Sequence, residues 1–552
     1  MTTFVPLFAS GLALLVAYYY LSRRSRNNRY VVSRLPGPNS PSFFVGNFLE
    51  LIRSESGSLH MKWFKEYGTV FKFHFLFGEP RIATIDPKAL NHVLVKNSYD
   101  YPKPDAVRKD MTKILGHGLV LVEGDVHKRQ RKLLNPTFSP GQLRALTPVI
   151  FKIANLLSSK WNELLIEKDD KSRECVLIDV LPWLNRAALD IIGLAGFGHN
   201  FESLDHFGKS ELANAFYAVT NTELKFSKLG ALRIFLINIL KKLAISHNVL
   251  GGERSKAIAN NMNVMERESK KILAVAQSHA DDQETSKDLI SLLVRANKAE
   301  KGAGDKMDDD EVVGQMTTFL FAGHETSASA LTWQLWMLAK HPKVQNKLRE
   351  ELFDAIRHRD APAETEGVPL SMDELLSLTY LDAFVREVMR LYPPVWSTIR
   401  VASHDDQIPL SNPVRTKTGE LVDCLNISAG QAITIPIYAF NRSREVFGES
   451  CLAFDPERWL QENKRSSGIG VWAGLLSFLA GPRSCIGYRF ALIEMKAILL
   501  VLLTKFKFEE RDEGGGPDFE KRGFMLMKPK LKGADQEAGV SMPLRVSLVE
   551  SY

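Results

Sequence analysis

The chain of 552 residues carries 71 basic against 64 acidic side chains, a formal charge of +7, with 45% hydrophobic and 24% charged residues. Those proportions exclude a disordered, collagen-like or fibrous chain, and although the length would suit several domains, no low-complexity tract, internal repeat or linker divides it. The basic excess is local: Arg23, Arg24, Arg26, Arg29 and Arg34 all precede the first acid, Glu50, and beside a hydrophobic segment such a cluster marks a membrane surface rather than a nucleic-acid site. Cys175, Cys424, Cys451 and Cys485 are scattered and form no C-x-x-C pair, so spacing indicates neither a zinc site nor a disulfide framework, and a reducing compartment is expected.

The first 22 residues contain no side chain charged at neutral pH. As a helix rising 1.5 Å per residue, the apolar run Phe4–Leu21 would span roughly 27 Å, enough to cross a bilayer. A cleaved signal peptide would place its positive charge ahead of a shorter apolar stretch. Here the arginines follow, so residues 1–22 read as a retained transmembrane anchor with its N-terminus in the lumen and the body of the chain in the cytosol. Residues 23–42, basic and then proline-rich through Leu35-Pro-Gly-Pro-Asn-Ser-Pro41, read as a stiff hinge, leaving 43–552 as one large domain. The sequons Asn426-Ile-Ser428 and Asn441-Arg-Ser443 are then expected to stay unmodified.

Within that domain, Val70–Phe75 and Arg81–Ile85 flank Phe77-Gly-Glu-Pro80 and predict a hairpin, with strands otherwise scarce. From about Leu143 to Arg357 the periodicity is mostly helical, broken near Gly251-Gly252 and across Asp281–Lys287. Lys225–Lys242 combines basic ends with an apolar middle, which suits either a helix dipping into the lipid interface or a core helix. Asp308-Asp-Asp-Glu311 is a capping box ahead of a run from Val312 to Lys340 that is apolar around most of its circumference, a long buried helix ended by His341-Pro342.

Inside that helix lies Ala322-Gly323-His324-Glu325-Thr326-Ser327. Its small residues admit a flat cofactor, and an acid beside a hydroxyl is costly to bury without a purpose. One reading is a proton relay in which Thr326 hydrogen-bonds dioxygen and Glu325 brings protons from solvent. The other is a kinked helix whose threonine bonds back to a carbonyl one turn earlier; the two are compatible. Further on, Tyr380-Leu-Asp-Ala-Phe-Val-Arg-Glu387-Val-Met-Arg390-Leu is an amphipathic helix with Glu387 and Arg390 one turn apart, by itself a weak signal.

The run Phe478-Leu-Ala-Gly481-Pro-Arg483-Ser-Cys485-Ile-Gly487 has the form F-x-x-G-x-R-x-C-x-G. A cysteine ligating haem iron has to be a thiolate, sheltered from water and supplied with backbone N–H donors, which glycines provide by letting the chain turn closely around sulfur. Arg483 is placed to reach a haem propionate. Alone, Cys485 would read as one more buried thiol; the matched positions around it reverse that reading.

With these motifs in this order, the chain after its first forty residues resembles the cytochrome P-450 haem-thiolate monooxygenases, of the membrane-bound, microsomal, fungal-like type. The resemblance implies a mainly α fold of about a dozen helices plus small β-sheets, behind an N-terminal transmembrane helix, with haem b held between the Val312–Lys340 helix and the Cys485 loop. It implies insertion of one oxygen atom from O2 into a hydrophobic substrate such as a terpenoid, steroid, fatty acid or polycyclic aromatic. The stretch after Cys485 is too short for a fused flavoprotein, so electrons are expected from NADPH through a separate NADPH-cytochrome P-450 reductase, with cytochrome b5 as a further candidate donor. The implied location is the endoplasmic reticulum membrane, single-pass, catalytic domain cytosolic.

Residue by residue, the resemblance makes Ala322, Gly323, Glu325 and Thr326 the oxygen-activation segment. It makes Glu387 and Arg390, with Arg458 of Phe454-Asp-Pro-Glu-Arg458-Trp, a buried charge cluster bracing the cysteine loop. Arg131 and Arg400 fall at propionate-binding positions. His127 stands where the family has tryptophan, and its imidazole N–H can give the hydrogen bond an indole would. Lys128, Arg129, Lys132 and Arg489 suit a docking face for the electron donor as well as they suit plain surface charge. The candidate substrate-lining segments, Asp105–Leu121, Phe319–Thr326, Val395–Ile399 and Phe524–Met527, are chiefly apolar. A haem-thiolate isomerase or dehydratase that does not use O2, or a non-catalytic haem sensor, is the alternative; the intact Glu325-Thr326 pair argues against the former, and no residue pattern motivates the latter.

Overall fold

The computed structural model describes residues 31–166, 175–206, 253–278, 288–300, 302, 305–359, 367–461, 468–512, 519–523, 525–533 and 539–549. The expected anchor, the Lys225–Lys242 segment and the breaks at Gly251-Gly252 and Asp281–Lys287 lie outside these residues. Among those described, no helix is long and apolar enough to cross a membrane. The chain falls into two compact units, the described residues of one lying within Met1–Pro104, Ser397–Ser443 and Ser467–Arg483 and those of the other within the remainder.

The first unit is built on a mixed sheet. The predicted hairpin forms, Val70–His74 pairing antiparallel with Pro80–Thr84, and its turn is taken by Phe77 and Gly78, both at positive φ. Pro80–Thr84 then pairs parallel with Ala432–Ile435, which pairs antiparallel with Thr398–Val401. Helix α1, Ser58–Tyr67, buries Leu59, His60, Trp63 and Phe64; Trp63 stacks on Phe73 at 5.8 Å, and Phe64 meets Phe71 edge-on at 4.7 Å. These offset and edge-on rings add to what their buried area contributes.

The proline-rich run is part of this unit rather than a free connector. Leu35 is fully buried, the Lys72 N–H donates to the Pro36 carbonyl at 2.9 Å, and a Cβ on Gly37 would lie 1.8 Å from the Lys72 carbonyl oxygen. A second hairpin, Asp406–Arg415 with Leu421–Ile427, carries an irregularity between Pro409 and Val414, where prolines interrupt the alternation that would have announced a strand. Asn441 of the second sequon is buried, its amide donating to Ser477 Oγ at 2.8 Å.

The second unit is mainly helical. With α1 it brings the helices of ten residues or more to eleven among the described residues. Its axis is α3, Asp309–Lys340, whose capping box closes as the sequence predicts: Glu311 N–H to Asp308 Oδ1 at 2.7 Å, and Asp308 N–H to Glu311 Oε2 at 3.2 Å. Glu311 has a second task. Its Oε1 accepts from Arg129 at 2.6 Å and Gln130 at 2.9 Å, both on α2, Gly124–Leu134. Gln315, one turn on, donates to Gln130 Oε1 at 2.8 Å and accepts the Leu119 N–H at 2.9 Å. Where the chain before α2 crosses α3, glycine meets glycine: a Cβ on Gly118 would lie 2.5 Å from the Gly314 carbonyl oxygen, and one on Gly314 2.8 Å from the His117 nitrogen. Helices α4, Thr379–Leu391, and α5, Tyr488–Leu503, pack on the same core.

Candidate active site

The Ala322–Ser327 segment sits in the unbroken middle of α3. The Thr326 hydroxyl donates to the Ala322 carbonyl one turn back at 2.7 Å, so the threonine back-bonds within a helix that continues to Lys340. Gly323 gives room to a neighbour: a Cβ there would come 3.1 Å from the Ile192 side chain. Glu325 is buried and forms an ion pair with Lys528, Nζ to Oε2 2.6 Å, while His324 Nε2 lies 3.5 Å from its other oxygen. Burial opposes ionisation of this carboxyl, but the Lys528 ammonium and then His324 outweigh it and hold its pKa at about 2.

Cys485 follows a tight turn whose geometry belongs to Gly481. That residue has φ +67°, and a Cβ on it would meet the Leu94 carbonyl oxygen at 2.2 Å. Phe478 is buried with its ring edge-on to Trp472 at 5.5 Å, and the Arg483 guanidinium lies 5.0 Å over the Tyr99 ring. Cys485 keeps accessible surface, yet protein crowds it enough that burial pushes its thiol up, against the pull of the Gly487 N–H and the Arg131 guanidinium. Both observations describe a sulfur set in a dense wall and still reachable. A soft donor with a backbone N–H and a guanidinium to temper its negative charge fits a thiolate ligand of haem iron.

Arg131 is positioned from α2, Nη1 donating to the Ser484 carbonyl at 2.6 Å, next to the cysteine. His127, one turn earlier, is buried. Arg400 is buried in the first unit, donating to Thr398 Oγ1 and to the Ile399 carbonyl, each at 2.8 Å. Arg129, proposed for a docking face, is instead committed to Glu311 and the Lys306 carbonyl inside the second unit. Its basic neighbours remain outside, Lys128 paired with Asp125 at 2.9 Å and Lys132 with Glu300 at 3.4 Å.

Glu387, Arg390 and Arg458 come together completely. Arg390 grips Glu387 with two bonds, 2.9 and 2.8 Å, and Arg458 Nε adds a third at 3.1 Å, all three residues being at most 5% exposed. The Asp455 N–H at 2.8 Å and Trp459 Nε1 at 2.9 Å complete the shell of the carboxylate. The arginines spend their other donors on the Ser450, Cys451 and Ala453 carbonyls. Trp459 was not singled out in the sequence, although it directly follows Arg458.

Two further buried groups escaped sequence reasoning. Lys496 on α5 pairs with Asp382 at 2.8 Å. Glu494, on the same helix, accepts from Ser327 Oγ at 2.5 Å through Oε2, and Oε1 has no hydrogen-bond partner among the described residues. Burial raises its pKa to about 8, with Ser327 opposing. The unfolded chain therefore loses this proton first, near its ordinary value of 4.5, and the folded state loses ground as pH rises from there to about 8. Glu494→Gln removes that loss. Its unfolding free energy should gain progressively on wild type between those pH values and then stay level, with a slope approaching about 1.4 kcal/mol per pH unit; calorimetry at several pH values reads it, and a pH-independent difference would refute the assignment.

A family model described as Cytochrome P450 matches residues 35–533. Among similar proteins, Cytochrome P450 monooxygenase 205 of Postia placenta is 38% identical over 93% of this chain and 92% of its own length. Cytochrome P450 monooxygenase claO of Ampulloclitocybe clavipes is 36% identical over 96% of this chain and 95% of its own.

Proposed function

The chain belongs to the cytochrome P450 family, a haem b monooxygenase, and from that premise we propose how its own residues divide the work. Cys485 would hold the haem iron through its thiolate. Arg131 with His127 on α2, and separately Arg400 and Arg483, would be propionate partners, and Phe478, Gly481 and Gly487 would shape the loop that presents the sulfur. Bound haem supplies the one-electron and dioxygen chemistry, which a thiolate ligand directs toward O–O cleavage.

The chain supplies the protons. Thr326 is placed to hold a proton at its Oγ once that hydroxyl turns from the Ala322 carbonyl, and Glu325 is the acid that replenishes it. Ala322 and Gly323 keep this stretch of α3 thin. The observation that carries the reading is Glu325 itself, an ionised carboxylate inside an apolar helix, next to a hydroxyl and matched to a dedicated lysine. Glu387, Arg390 and Arg458 have a structural task, bracing the chain that leads to the cysteine.

The substrate is hydrophobic, and its proposed classes are terpenoid, steroid, fatty acid or polycyclic aromatic. Residues 1–22 are proposed as a single-pass anchor in the endoplasmic reticulum with 43–552 in the cytosol. NADPH-cytochrome P-450 reductase is the proposed electron donor, with cytochrome b5 as a second; Lys128, Lys132 and Arg489 are the cations left to meet it. Product formation that depends on O2, NADPH and added reductase tests the reaction class, and turnover without O2 would favour an isomerase or dehydratase. Thr326→Ala should keep the haem spectrum while raising hydrogen peroxide formed per NADPH severalfold; unchanged coupling would remove Thr326 from the mechanism.

A further inference from the structure

Strands Phe519–Arg522 and Lys528–Leu531 form an antiparallel pair near the C-terminus, Lys528 opposite Arg522. A lysine on such a strand ordinarily runs its stem along the surface and keeps its ammonium in water. Lys528 does the opposite: the residue is 5% exposed and its ammonium ends on Glu325. The residue before it is held as firmly. The Met527 carbonyl accepts from Ser329 Oγ at 2.8 Å and from Trp333 Nε1 at 2.9 Å, and its N–H donates to the Pro394 carbonyl at 2.8 Å. Leu526 bridges to Val395. Glu325, Ser329 and Trp333 succeed one another by single turns, so Met527 and Lys528 grip one stripe of α3.

An acid held near 2 carries no proton at neutral pH, so the paired arrangement is one in which Glu325 cannot deliver. Separated from the ammonium, a carboxyl this deeply buried takes up a proton readily. We propose that Lys528 is a positioning residue that gates proton delivery: paired, its ammonium clamps the Glu325 carboxylate, and withdrawn with its strand it frees that carboxylate to carry a proton to Thr326. Because Leu526 and Met527 are fixed to Pro394 and Val395, a molecule pressing on this segment acts on the acid through the lysine. The proton enters from solvent on Glu325, leaves through the Thr326 hydroxyl, and no other bond changes. This inference rests on the reading of Glu325 as a proton carrier.

Among the described residues, the charged and titratable groups that act on Glu325 are Lys528 from the strand and His324 on its own helix; Glu494, from α5, reaches Ser327. The test uses the haem-loaded full chain and the infrared carboxylic-acid stretch as a function of pH. Wild type and Lys528→Arg should show no protonated Glu325 between pH 5 and pH 8, whereas Lys528→Met should show one, its ionisation moved up by roughly 3 units or more. Loss of the band in Lys528→Met/Glu325→Gln assigns it, and the Glu494 acid band serves as a reference in every variant below about pH 7.

A folded, haem-loaded Lys528→Met with Glu325 still fully ionised at pH 5 overturns the proposal. If Lys528→Met does not fold while the double variant does, the ammonium compensates the buried carboxylate and the proposal stands; if neither folds, Lys528 serves only hairpin packing and the proposal falls. Peroxide formed per NADPH, measured with the reductase, separates the two layers. An unchanged ratio in Glu325→Gln ends the proton-carrier reading whatever the infrared shows, while a changed ratio with an unmoved Glu325 in Lys528→Met ends the role of the lysine alone.

Discussion

Glu387→Ala should yield a chain that no longer takes up haem. The carboxylate compensates two buried guanidinium groups and also accepts from the Asp455 N–H and the Trp459 indole. Deleting it leaves Arg390 and Arg458 as uncompensated charge at sites at most 5% exposed, at a cost on the order of 3–5 kcal/mol. Set against a whole-domain stability of about 5–15 kcal/mol, that is a large share, and it falls on the carbonyls of Ser450, Cys451 and Ala453 that the arginines organise. Haem content per polypeptide and the melting temperature read the effect. Trp459→Phe, which forfeits one donor to the same carboxylate, should lose only about 1–2 kcal/mol and still load haem. Full loading of Glu387→Ala with an unshifted melting temperature would mean that the cluster braces nothing.

Cys485→His should abolish the thiolate-type displacement of the Soret band in the ferrous carbon monoxide complex. Burial raises the thiol of this cysteine, so serving as the proposed thiolate ligand would require loss of its proton, and the Gly487 N–H and Arg131 would make the resulting charge tolerable. An imidazole in the same place is a neutral donor and cannot reproduce the electron push of sulfur. The variant should bind haem with a nitrogen-type spectrum and lose monooxygenase activity. A band that stays at the thiolate position would show that another residue ligates the iron.

Features written in one contiguous stretch were legible in the sequence. The hairpin around Phe77-Gly78, the Asp308–Glu311 capping box, the long apolar helix and the cysteine loop each depend on neighbours within a turn or two, so pattern and local chemistry suffice. Arg458 was reachable only through the resemblance, because nothing in its own segment names Glu387 as its partner. Lys528, Lys496 and Glu494 were not reachable. A lysine in a short strand and charged residues in an apolar helix look like ordinary solvated positions until the chain brings Glu325, Asp382 and Ser327 to them. The second hairpin was lost for a different reason: Pro409 and Pro413 break the alternation on which strand recognition rests. Arg129 failed as a docking cation because Glu311, far along the chain, claims it first.

The seating of Leu35–Pro38 against Lys72 bears on how the protein can be shortened for solution work. Val31, Val32 and Leu35 are each at most 3% exposed, so a cut at the end of the proline-rich run would strip away interior wall and bare an apolar edge. A truncation that removes the proposed anchor should therefore leave residues 31 onward in place.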